Sequence, residues 1–462
     1  MIDLDLISDE EIKQLDSEYC SWGDTVHYSE DPKVFRGCEG SYMFDSKDIP
    51  YLDLQMWYAA CNFGYKNKRV MNAVMDQMNT LPHLTPKFLY DYKALLSKKI
   101  ADLNYERFGE KGRVHFNVGG AQATEDAIKI VRNYTKRNGM FAFQGGYHGR
   151  TMAATAVTSS FRYREKYGHF GDRAQFVPFP YCFRCPYGMK CESCNHFCIK
   201  QFARNFDSEY KSFYDPKTGE SEYKAFIAEP ILGTGGYIDA PKWYFKELKE
   251  ILDSKGIMLV IDEIQMGMFR TGKLWAIEHY GITPDVMTFA KSITNGMNPL
   301  SGLWAKEKFI APNVFTPGSA HSTYCSNPLG VRAAHEVMSI VEEEQKQLES
   351  EIARKSNKFK AGLNYLKSKY DCIGDVGGIG FALRIELTQK DGITPNRELC
   401  DAMQEEGLKG DLSYNGKKCG LVLNNGGFYK NIITLVPQLY ISDDEIDMAI
   451  DLLDQLFSRL TK

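Results

Sequence analysis

Three short apolar runs, each closing on an ionisable residue, constrain this chain more than any other feature of its sequence. Ala225-Phe226-Ile227-Ala228 ends in Glu229-Pro230, Ile257-Met258-Leu259-Val260-Ile261 in Asp262-Glu263, and Val286-Met287-Thr288-Phe289-Ala290 in Lys291. Each run is short, β-prone and bounded by breakers, the pattern of a strand buried on both faces of a parallel sheet. Helical patterns alternate with such runs through the middle of the chain, which implies an α/β fold. Ligands of open α/β sheets sit beyond the carboxyl ends of the strands. Two acids and a lysine, each directly after a strand, therefore converge on one rim. Singly, each would read as the start of a solvated loop; the conjunction points to a site.

A second feature suits that rim. Phe116-Asn117-Val118-Gly119-Gly120-Ala121-Gln122-Ala123 leads into residues 124–134, where Ala127, Ile128, Val131 and Tyr134 fall at helical spacing. Small residues at the start of a helix leave its first backbone N–H groups uncovered, and with the positive end of the helix dipole these bind anions. Gly-Gly alone would also serve a plain strand–turn–helix joint. No Gly-Lys-Ser/Thr follows, so this is not a P-loop, and Gly378-Ile379-Gly380 lacks the third glycine of a dinucleotide fingerprint.

Together with Asp262-Glu263-Ile264-Gln265-Met266-Gly267-Met268-Phe269-Arg270-Thr271-Gly272-Lys273, and Lys291 arriving 29 residues after Asp262, the sequence resembles the class-III aminotransferases, the ornithine and 4-aminobutyrate group of pyridoxal-phosphate (PLP) fold type I. Supporting matches are Gly146-Tyr147-His148-Gly149-Arg150-Thr151, Glu229-Pro230-Ile231-Leu232-Gly233-Thr234-Gly235-Gly236 and Ser322-Thr323-Tyr324-Cys325-Ser326-Asn327-Pro328. The resemblance runs from about Tyr51 to the end of the chain. It implies an α/β large domain, residues 62–329, with a mostly parallel seven-stranded sheet flanked by helices. A smaller α+β domain would combine residues 1–61 with 330–462, where 331–355 reads as a long joining helix, 380–387 as a strand and 443–460 as the last helix.

By the same resemblance Lys291 forms the Schiff base with PLP and carries the proton, while Asp262 faces the pyridine nitrogen. Gln265 meets the ring hydroxyl, Tyr147 lies on the ring face, and His148 and Glu229 belong to the cofactor site. Gly120 and Ala121 take the phosphate through backbone N–H groups, although the family's hydroxyl side chains are missing here. Thr323 matches a residue that reaches the phosphate of a neighbouring subunit, which implies a homodimer with composite sites. The expected activity is transfer of an amino group from a primary amine or ω-amino acid to a 2-oxo acid. A racemase or epimerase of the same family is the alternative, and a non-catalytic PLP-binding protein a more distant one.

Two departures bear on substrate. The family's carboxylate-binding arginine falls at Thr434, and the glutamate that gates it at Thr234. A carboxylate would then need another cation, for which Arg384 is a candidate. Trp57 and Tyr58 are expected on the substrate side, unless they are ordinary core aromatics.

The remaining expectations come from composition. At 462 residues, 43 % apolar and 25 % charged, the chain is an ordinary globular one with room for more than one domain. A net charge of −4 gives no reason to expect nucleic acid or an anionic membrane as partner. Residues 1–14 lack the pattern of a signal peptide, no apolar run of about 18 residues suggests a membrane span, and twelve cysteines fit a reduced cytoplasmic protein. Cys182, Cys185, Cys191 and Cys194, with His196 and Cys198 behind them, stand in an insertion at about 181–200. Two C-x-x-C pairs suggest structural zinc or an iron–sulfur cluster, but only five residues separate them, fewer than in the usual zinc ribbon. Buried or redox-active thiols are the alternative.

Overall fold

A computed structural model describes residues 7–24, 31–165, 167, 174–211 and 213–461; the first six residues of the amino-terminal stretch read above lie outside this set. The largest sheet has seven strands, labelled here in chain order: β1 Gly112–Asn117, β2 Gly139–Phe143, β3 Gln175–Val177, β4 Tyr223–Ala228, β5 Met258–Asp262, β6 Val286–Phe289 and β7 Ser301–Lys306. Their order across the sheet is β1-β7-β6-β5-β4-β2-β3. β7 runs antiparallel to both of its neighbours, and the other pairs are parallel.

The central strands β5 and β6 are buried along their whole length, because helices cover both faces of a parallel sheet. Register then settles where they end. Ile261 of β5 pairs with Ala228 of β4, and Asp262 with Thr288 of β6. Glu229, Asp262 and Lys291 thus leave the sheet at nearly the same level of one rim. Helix α1, Gly120–Thr135, follows β1 and buries Ala123, Ala127, Ile130 and Val131 against the sheet, which sets its N-terminus on that same rim.

Two further sheets are built largely from the chain ends. Phe35–Glu39, Tyr42–Asp45 and Pro50–Asp53 form a meander, and Pro50–Asp53 pairs in parallel with Lys417–Val422. Ile373–Ile379, Ala382–Leu387, Ile432–Leu435 and Asn424–Gly426 form a four-stranded antiparallel sheet. Helix α2, Pro328–Lys369, joins the large sheet to these layers over 42 residues. Its start is defined chemically: Asn327 accepts a hydrogen bond from the Gly330 N–H and Pro328 stands in the first turn. Helix α3, Asp443–Leu460, opens with a capping box between Ser442 and Glu445. Among the described residues no helix is long and apolar enough to cross a membrane.

Candidate active site

Beyond the rim lies a cavity of about 670 Å³ whose lining includes Gly120, Ala121, Tyr147, His148, Glu229, Asp262, Gln265 and Lys291. The sheet register brings the acids and the lysine to it, and the β1–α1 joint brings the glycines. Trp57 and Tyr58 line it too, although Trp57 is 58 % exposed.

Asp262 is buried, and both of its oxygens are engaged. Oδ2 meets His148 Nδ1 at 2.7 Å, and Oδ1 accepts the Ile264 N–H at 3.0 Å. A buried carboxylate held this way keeps a fixed orientation. Its neighbour Glu263 points elsewhere, accepting the N–H groups of Ala276 and Ile277 at 3.0 and 2.8 Å. The Asp-Glu pair therefore divides into one site residue and one structural cap. Glu229 accepts the N–H groups of Tyr147 and Gly233 at 2.9 and 2.8 Å. Burial, with Asp262 alongside, pushes Glu229 up to about 7 against the pull of His148 and those two hydrogen bonds. This carboxyl group holds two loops together at the floor of the cavity. Gln265 donates through Nε2 to the Tyr58 carbonyl at 3.3 Å and the Tyr237 hydroxyl at 3.4 Å.

Burial lowers Lys291 to about 8, although Asp262 and Glu229 both pull upward. Desolvation disfavours the ammonium, which leaves a larger share of free amine near neutral pH. The residue also has a φ of +51°, a left-handed conformation that costs a side-chain-bearing residue roughly 1–3 kcal/mol and occurs at functional sites.

The site fits PLP on its own geometry. The first N–H groups of α1 have no intrahelical partner and line the cavity through Gly120 and Ala121. At Gly120 a Cβ would stand 3.1 Å from Ile264 Cδ1; at Gly149, whose φ is +123°, it would stand 2.5 Å from Ala121 Cβ. The cradle needs those glycines to stay open. A buried anion, a lysine of lowered pKa and a helix N-terminus match the three polar ends of the cofactor.

Three other candidates fall elsewhere. Arg384 is buried but committed: it donates to Asp239 and Asp375, both at 2.9 Å, and to the Tyr237 carbonyl at 3.0 Å. Its charge is neutralised by two acids, so it is a structural cation, and the carboxylate-binding role expected of it is withdrawn. Thr323 is exposed and stands outside the cavity of its own chain. The cysteines Cys182, Cys185, Cys191, Cys194 and Cys198 gather around a void of about 20 Å³. Yet among the described residues no group of three or more His, Cys, Asp or Glu is disposed to hold a metal ion, so the structural metal gains no support. His196 instead stacks on Trp243 at 3.8 Å and meets Glu247 at 2.6 Å. Burial raises the thiols of Cys182 and Cys198, the latter to about 11.

Sequence reasoning missed the outer wall. Arg162, Tyr163, Asn424, Asn425 and Lys430 line a second space of about 210 Å³ that shares Tyr58, Tyr147, Arg150, Gln265 and Lys291 with the main cavity. Arg162 and Tyr163 stand in a single 3-10 turn, Asn424 and Asn425 in a three-residue edge strand and Lys430 in the turn after it, all too short to show a period. None of these five stood inside a motif singled out in the sequence.

The chain is similar to known proteins along most of its length. A family model described as aminotransferase class-III matches residues 27–457. The leucine/methionine racemase of Thermococcus litoralis is 30% identical over 430 residues, 92% of this chain and 90% of that protein. A probable 4-aminobutyrate aminotransferase of Bacillus subtilis is 31% identical over 420 residues, 90% and 91% of the two chains. Among solved structures, an aminotransferase of Bacillus anthracis superposes with a TM-score of 0.84 at 26% identity, covering 98% of this chain and 100% of that one.

Proposed function

Because the chain belongs to the class-III aminotransferase family of PLP-dependent enzymes, we propose that it moves an amino group from a primary amine or ω-amino acid to a 2-oxo acid, with Lys291 as the amine that holds the cofactor. The observation that carries this reading is the meeting, in one cavity, of Lys291, the His148-bound Asp262 and the open N-terminus of α1.

When bound, PLP supplies an electron sink for bond breaking at the substrate carbon. The chain's own residues do the rest. Gly120 and Ala121 would hold the phosphate through backbone N–H groups. Asp262, oriented by His148, would keep the ring nitrogen protonated, and Gln265 would hold the ring hydroxyl. Tyr147 would pack on the ring face. Lys291 Nζ, once displaced by substrate, would accept the proton that leaves the substrate carbon and give it up at a different carbon, which its lowered pKa favours.

The same reading divides the chain at 61/62 and 329/330 and makes the protein a cytoplasmic homodimer. Thr323, being exposed, would serve the phosphate of a partner subunit. The similarity to a racemase over nine-tenths of the chain keeps a second reading open, in which the proton returns to the carbon it left.

The test is the visible absorption band of lysine-bound PLP. It should be present in the purified protein and lost in Lys291→Ala. Conversion to the pyridoxamine form by an amine or amino acid, with one equivalent of oxo product, supports transamination. A stable band together with deuterium uptake and loss of optical purity in a single amino acid would replace it with racemisation. A protein with no affinity for PLP would end both readings.

A further inference from the structure

We infer that Arg162 and Lys430, which line the space beside Tyr163 and Lys291, form an anion subsite that receives the carboxylate at the end of the substrate remote from the reacting amino group. This rests on the reading that Lys291 is the reacting amine.

The second space opens beside Lys291 and has three cations in its wall, Arg150, Arg162 and Lys430. Among the described residues none of the three forms an ion pair, and Arg150 and Arg162 pack on an aromatic ring. Arg162 donates to the Tyr163 hydroxyl at 2.6 Å and lies 4.8 Å from its ring centre; Arg150 lies over the same ring at 4.4 Å. Burial lowers Lys430, and Arg162 and Arg397 add to that effect, while Tyr163 and Cys400 pull it upward. Burial alone would raise Tyr163, but the hydrogen bond from Arg162 and the charges of Arg162, Lys430 and Arg150 bring it below its ordinary value. That is what a phenol experiences beside several cations. The contrast with Arg384, neutralised by Asp239 and Asp375, separates a structural cation from cations free to meet a ligand.

The wall built by Asn424, Asn425 and Lys430 bears on the missing arginine. Thr434, at the position where the family carries it, is buried, and its Oγ1 accepts a hydrogen bond from Asn424 Nδ2 at 2.9 Å. Asn424 in turn lines the second space. The strand thus offers neutral amides, and positive charge comes from Lys430, in the turn that joins Asn424–Gly426 to Ile432–Leu435, and from Arg162. A carboxylate between those two groups gains charge-assisted hydrogen bonds, which favours ω-amino acids over plain amines and oxo diacids over oxo monoacids.

The experiment compares 4-aminobutyrate with butylamine, which share an amine end and differ in the carboxylate, on holoenzyme of wild type, Lys430→Gln, Arg162→Gln and Lys430→Arg. Wild type should prefer 4-aminobutyrate by at least tenfold in kcat/KM. Either glutamine variant should collapse that ratio about tenfold, and Lys430→Arg should keep it. A ratio unmoved by both glutamine variants, or no preference in wild type, overturns the subsite. If wild type turns over neither amine, titration with glutarate, followed through the PLP absorption band, still reads the subsite. A dissociation constant raised tenfold or more in the glutamine variants supports it. Equal constants, or no glutarate binding to wild type, overturn it. Failure of turnover with intact glutarate binding would count against the transaminase reading and not against the subsite.

Discussion

Lys291 concentrates the chemistry of this protein in one side chain, and its titration makes the first prediction. In the cofactor-free protein its pKa stands near 8, against an ordinary 10.5. Between these values the unfolded lysine holds a proton that the folded one has lost, so stability rises with pH from about 8 to 10.5. Below 8 the full penalty of burying the ammonium is present. Lys291→Met should therefore stabilise the cofactor-free protein at pH 7 by on the order of 1–3 kcal/mol, with the gain fading towards pH 10.5. Urea denaturation at pH 7 and pH 10 measures both, and an equal gain at the two values would contradict the assignment. Asp262→Asn would leave His148 Nδ1 facing a neutral amide in place of a carboxylate. Turnover should fall at least about a hundredfold, roughly 2.7 kcal/mol of barrier, while the fold persists by circular dichroism.

At the scale of elements, the site depends on two local structures that run against backbone preference. Met56, Trp57, Tyr58 and Ala59 have consecutive φ values of 43°, 51°, 55° and 64°, a single left-handed turn made without glycine. Such conformations cost roughly 1–2 kcal/mol per residue, so the turn needs an anchor. Asp53 provides it: Oδ1 accepts the N–H groups of Gln55 and Met56 at 2.6 and 2.9 Å, and Oδ2 accepts the Tyr65 hydroxyl at 2.6 Å. Asp53→Ala should cost about 2–4 kcal/mol through the buried donors it strands, read from chemical denaturation, and should release Trp57 and Tyr58 from the cavity wall. The second structure is the approach of Gly149 to the start of α1. Gly149→Ala would press on Ala121 in a conformation that disfavours any side chain. PLP affinity should drop at least about tenfold, about 1.4 kcal/mol, in a titration of the cofactor-free protein. An unchanged affinity would remove α1 as the phosphate cradle.

Across the whole molecule, Arg270 ties the layers together. It is fully buried and donates to the carbonyls of Pro437 and Phe381 and to the Asn62 side chain, joining the loop after β5 to both chain ends. Burial lowers it to about 10. Arg270→Ala should leave three acceptors without a donor and cost about 3 kcal/mol, with the small sheets loosening before the large one. Calorimetry resolving two transitions in place of one would show this.

Much of this architecture was legible in residue order because it rests on local or periodic chemistry. The strand ends at Glu229, Asp262 and Lys291, the small residues opening α1, and the acidic start of α3 are written where they act. Period, breakers and caps operate over a few residues. What tertiary structure decided were choices between partners distant along the chain. It bound His148 to Asp262, turned Glu263 into a helix cap, spent Arg384 on two acids, and assembled Arg150, Arg162 and Lys430 around one phenol. A side chain's charge is visible in the sequence, but whether that charge is compensated depends on which groups packing brings within a few ångströms of it.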